Sequence, residues 1–151
     1  MDAKPLPANI RMLLSLHAGF FLNCVRTVAM FEKGDLMRGL VYTAIWLGNV
    51  EHLAPTDGPL GAEPPDAMRK PVSVRAVARA LRLPYETTRR YANGLVSEGV
   101  CKRVAGQGLI VPAAVLESPA EREKQSNVYA LIAKFAVDLR DAGLVLDEKA
   151  A

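Results

Sequence analysis

The chain has 151 residues, half of them apolar and 6% aromatic, a length that admits one domain with a sizeable core, or a small domain with helical additions, and little else. Apolar content carried by Ala, Leu and Val with few aromatic rings points to a mainly α fold and away from a β-rich one. The net charge of +3 is unevenly spread: residues 69–103 sum to +7 and the remainder to −4, the footprint expected where one segment faces a polyanion.

The N-terminus has Asp2, Pro5 and Pro7 where a secretory signal needs a charged region and then an apolar stretch, so a cytoplasmic location is expected. Asn9 to Phe31 follows as an apolar helix, with Ile10, Leu13, Leu14, Leu16, Phe20, Phe21, Cys24, Val25 and Val28 covering more than half its circumference. Its uncharged run, Met12 to Val25, is 14 residues long, short of the roughly 20 that span a bilayer, so a buried helix is expected and no membrane partner. Gly34 and Asp35 break the pattern as stop and N-cap, and a second apolar helix runs from Leu36 to Leu53. Residues 1–53 are thus expected to form a helical pair whose surplus apolar surface meets a second copy of the chain or the central domain. Phe20, Phe21, Tyr42 and Trp46 fall at helical spacing and suit core positions, with a small-molecule effector pocket as the alternative. His17 and His52, with Glu51, could meet between these helices to hold a metal, but no second ligand stands at helical i+4 spacing, so core or surface histidines and no metal are expected. Cys24 and Cys101 form no CxxC pair, which excludes a zinc ribbon or a disulfide framework and leaves reduced core thiols.

Residues 54–71 hold five prolines with Gly58 and Gly61, so neither helix nor strand propagates and a linker is expected. From Val72 the order becomes helix, turn, helix, hairpin. Ser73 caps a helix with Val74, Val77, Ala78 and Leu81 inward and Arg75, Arg79 and Arg82 outward. Pro84 disfavours helical geometry at Leu83 yet suits the first turn of a new helix, so the chain turns there. In the second helix Thr88, Ala92 and Leu95 recur at i, i+4 and i+7, with Tyr91 beside them and Gly99 as the stop. Tyr85, Glu86, Thr87, Arg89, Arg90 and Asn93 remain on the outer face. Arginine can bridge O6 and N7 of guanine, asparagine can pair with adenine, and threonine can take a phosphate or a thymine methyl. Residues 100–105 and 109–112 then make two strands joined around Gly106 and Gly108, which places Lys102, Arg103 and Gln107 on a basic ribbon beside that helix.

Leu81-Arg82-Leu83-Pro84-Tyr85-Glu86-Thr87-Thr88-Arg89-Arg90-Tyr91, followed by Leu95-Val96-Ser97-Glu98-Gly99-Val100, resembles the winged helix-turn-helix bacterial regulators of the MarR and IclR types. The resemblance covers about 45 residues. It implies a DNA-binding domain at residues 72–116, of three-helix type with a β-hairpin wing. The recognition helix would carry Thr87, Arg89 and Arg90, and the wing Lys102 and Arg103. Pro84 stands where such regulators often have a serine cap, and Gly94 lies inside the recognition helix, where close packing is the expected reason.

Ser118-Pro119-Ala120-Glu121 then forms a capping box for a last helix ending near Gly143, with the stripe Val128, Leu131, Ile132, Phe135 and Leu139. That helix outreaches a small domain, so residues 117–151 are expected to join the N-terminal helices in dimerisation. No dinucleotide fingerprint, phosphate loop, nucleophile elbow or HExxH pattern occurs, so neither catalysis nor a cofactor is expected. The expected function is transcriptional regulation by a homodimer on double-stranded DNA. A winged helix serving only as a protein-interaction adaptor is the alternative.

Overall fold

The computed structural model describes residues 6–54, 57 and 62–144 and is mainly helical, with one two-stranded antiparallel sheet. In chain order come α1 (Ile10–Phe31), α2 (Leu36–Val50), a 3₁₀ turn at Asp66–Met68, α3 (Val74–Leu81), α4 (Tyr85–Ser97), β1 (Lys102–Val104), β2 (Gly108–Ile110), α5 (Ala113–Leu116) and α6 (Pro119–Asp141). The chain forms two compact units, residues 28–123 and a second built from residues 1–27 with 124–151.

The central unit is organised by its caps. The Asp35 carboxylate accepts from the Arg38 amide at 3.0 Å and starts α2, while the Ser73 hydroxyl accepts from the Ala76 amide at 3.1 Å and starts α3. α3 ends on Arg82 in the left-handed region (φ 54°), and Pro84 opens α4 without a side-chain cap. Gly99 (φ 75°) then lets the chain leave α4 for the hairpin. Three helices, α2, α3 and α4, pack on one another around Val41, Ile45, Val77, Ala92 and Leu95, and Cys101, Leu109, Val111 and Leu116 close the core from the hairpin side. Thr88 is fully buried among these apolar groups because its hydroxyl donates to the Pro84 carbonyl one turn back, at 3.2 Å.

α2 is a full member of this core. Its Asn49, with no exposed surface, donates to the carbonyls of Lys70 (2.8 Å) and Leu109 (2.9 Å) and accepts from the Val111 amide (2.9 Å). One side chain thus satisfies backbone groups from two separate segments. The end of the proline-rich stretch is packed as well. Val72 and Leu109 exchange backbone hydrogen bonds of 3.0 and 2.8 Å, adding a bridge to the sheet's edge. Arg69 is buried and donates to Glu63 at 3.0 Å. Six of the residues in that stretch, 55, 56 and 58–61, lie outside the described residues. The strands, in register Lys102 to Ile110 and Val104 to Gly108, are shorter than the sequence predicts. Pro112, with no amide hydrogen to offer a ladder, sits as the N-cap of the short α5.

In the other unit Phe20 stacks on Phe135, with ring centroids 4.2 Å apart and planes 9° from parallel, and the Asn9 side-chain amide donates to the Ala142 carbonyl at 2.7 Å. α1 as a whole buries no residue, and at 22 residues it is long and apolar enough, by length and composition, to cross a membrane. The 14-residue uncharged run ends at Arg26, a charge that the helix runs through.

Candidate nucleic-acid interface

Packing of Thr88, Ala92 and Leu95 into the core fixes which side of α4 faces out. Glu86, Arg89, Arg90 and Asn93 are exposed and Thr87 half-buried, and the five together line a shallow open depression of about 460 Å³. Tyr85, also exposed, carries the Arg75 guanidinium over its ring at 5.9 Å, which brings the first turn of α3 alongside the first turn of α4. Arg90 lies over the Tyr91 ring at 5.4 Å. On the hairpin Lys102, Arg103 and Gln107 are exposed, and Arg103 donates to the Asn93 side-chain carbonyl, so the hairpin and α4 meet through two of the sequence-predicted residues.

Most of the cations of residues 69–103 make no ion pair among the described residues. Of the nine basic residues between 69 and 103, Arg69 is buried on Glu63, with Asp66 at 3.9 Å, and contributes nothing to the surface. The other eight are exposed, and among the described residues Arg89 alone of these makes an ion pair, to Glu86 at 2.6 Å. That hydrogen bond, with the Glu86 charge behind it, raises the Arg89 pKa further, so the guanidinium is permanently charged. The nearby acid Glu98 is engaged by Arg38 from α2, which also holds Glu32 at 2.9 Å. The sequence pattern gave no sign of this Arg38 bridge, since nothing local links residues 60 positions apart.

Tyr42 and Trp46, named as candidate effector contacts, lie against the central core, and the Tyr42 hydroxyl donates to the buried Glu121 carboxylate at 3.0 Å. Glu121 therefore does more than serve the capping box, in which its amide donates to the Ser118 hydroxyl at 3.3 Å. The His52 ring lies 3.1 Å from the Met68 carbonyl. Among the described residues no group of three His, Cys, Asp or Glu side chains is placed to hold a metal.

Comparison of the chain with protein-family models, with curated proteins and with solved structures finds no match.

Proposed function

We propose that the central unit is a winged helix-turn-helix that binds double-stranded DNA, with α4 in the major groove and the β1–β2 hairpin as a basic wing on the adjacent backbone or minor groove. α2, α3 and α4 would be the three helices of that fold. The observation that carries the reading is the joining of Asn93 to Arg103: it places the outer face of α4 and the basic hairpin on one continuous surface, with Arg75, Arg89, Arg90 and Lys102 exposed. Guanidinium and amide groups on a helix are the donors that read purine edges, and a cationic ribbon beside them suits phosphate.

The role is transcriptional regulation, without catalysis, by a homodimer. Its second copy would cover apolar side chains such as Leu14, Phe21 and Leu22 on α1 and Tyr129 and Ile132 on α6, all at least half exposed in one chain. The same side chains are what an adaptor would use to dock another protein. Selection from random duplex DNA with the full chain separates the two readings. Enrichment of a two-fold-related motif, with half-sites about 10 base pairs or a multiple apart, is the expected result. Failure to enrich any sequence would turn the assignment to the adaptor.

A further inference from the structure

Glu86 is out of place on a face meant for a polyanion. Its carboxylate is 70% exposed in the first turn of α4, in the depression shared with Thr87, Arg89, Arg90 and Asn93, where it repels every phosphate that approaches. A surface selected only for affinity would not keep it. Its position over Arg89 supplies a reason. One oxygen, Oε2, accepts from both Nε (2.9 Å) and Nη2 (2.6 Å) of Arg89, so the side edge of the guanidinium is occupied and its end, formed by Nη1 and the second hydrogen of Nη2, is left open. That open end is a fork of the width that bridges O6 and N7 of guanine. The other carboxylate oxygen, Oε1, accepts no hydrogen bond among the described residues. It is an acceptor beside a donor fork, and cytosine N4 is the major-groove donor that carboxylates take.

We propose that Glu86 is the specificity-determining residue of this interface: it locks Arg89 end-on for a guanine and offers Oε1 to a neighbouring cytosine amino group, so that the Glu86–Arg89 pair demands G·C pairs at one step of each half-site. The inference rests on the DNA-binding reading above and refines it. Arg89 released from Glu86 is a flexible cation that binds phosphates and bases alike. The carboxylate thus trades general affinity for discrimination, because wrong bases leave it facing acceptors.

Selection from random duplexes with the wild type, Glu86→Ala, Arg89→Ala and the double variant tests this. Both side chains are more than half exposed, so the variants keep the fold. The wild type is expected to enrich a motif with a fixed G·C step in each half-site. Glu86→Ala is expected to bind random-sequence DNA more tightly than the wild type and to lose roughly 5- to 100-fold of its preference at that step alone. Arg89→Ala should lose the preference at the same step, and the double variant no more than either single one, as for two groups acting together. A Glu86→Ala variant that gains affinity but enriches the wild-type motif unchanged would overturn the inference and leave DNA binding standing. A wild type that enriches nothing would overturn both.

Discussion

At the scale of single residues, a side-chain oxygen accepting from an amide three residues on starts α2, α3 and α6. The caps at Asp35, Ser73 and Ser118 were legible because each is set by a side chain reaching an amide three residues away. Gly94 was not: close packing was the expected reason for a glycine in α4, yet an added Cβ would meet nothing within 4 Å beyond the helix's own backbone. Gly94→Ala is therefore expected to stabilise the protein by about 1 kcal/mol, seen as a higher urea midpoint at an unchanged slope. A lower midpoint would mean that the site is crowded after all. Two buried groups bear on stability at alkaline pH. Burial pushes the Cys101 thiol up to about 12, against a partial opposing pull from Arg38. Burial, and then the Glu121 carboxylate, also raise the Tyr42 hydroxyl above its ordinary value. In both cases the unfolded chain releases its proton first, so the contribution of these two groups is full below pH about 9 and falls as the pH rises toward 12. Urea unfolding across that window should show the decline, and Cys101→Ala should make it shallower. A decline of equal slope in the variant would assign the effect elsewhere.

At the scale of elements, α3, α4 and the existence of the hairpin were readable from periodicity, because each buries one face and exposes the other. Less readable was whatever depends on contacts far along the chain. The part played by α2 is one case: its apolar pattern is as broad as that of α1, and only the fold distinguishes Val41, Ile45 and Asn49, buried against α3, α4 and β2, from Leu40 and Leu47, which stay exposed. Gly108 is another. The sequence predicts it as a turn glycine, but the structure adds a second requirement, since a Cβ there would lie 2.4 Å from the Val72 carbonyl oxygen at a φ of 137°. Neither the backbone bridge nor the angle can yield cheaply. Gly108→Ala is expected to cost more than about 2 kcal/mol in thermal or urea unfolding, through strain at a special backbone position. A loss under about 0.5 kcal/mol, the size of an ordinary surface change, would show that the Val72–Leu109 bridge shifts without penalty.

At the scale of the whole molecule, the basic surface and the apolar helices pose separate questions. The charge excess between residues 69 and 103 was visible in the sequence, but its reach was not: Arg69 is buried on Glu63 and Arg89 is engaged by Glu86, while the other seven cations are exposed and make no ion pair among the described residues. A helix of 22 residues with none buried needs cover, and a second copy of the chain is the cover expected. Sedimentation equilibrium at micromolar concentration should return twice the chain mass, with Phe21→Glu shifting the protein toward monomer; a wild type that sediments as a clean monomer would remove the dimer. DNA binding itself is decided most directly by the affinity of the full chain for duplex DNA measured from about 50 to 200 mM salt. With Arg75, Arg90, Lys102 and Arg103 as phosphate or base contacts on each protomer, the logarithm of affinity should fall linearly with the logarithm of salt, at a slope of roughly −4 or steeper, and less steeply when Lys102 and Arg103 are replaced by alanine. Absence of binding at the lowest salt, or an affinity that does not change with salt, would contradict the account.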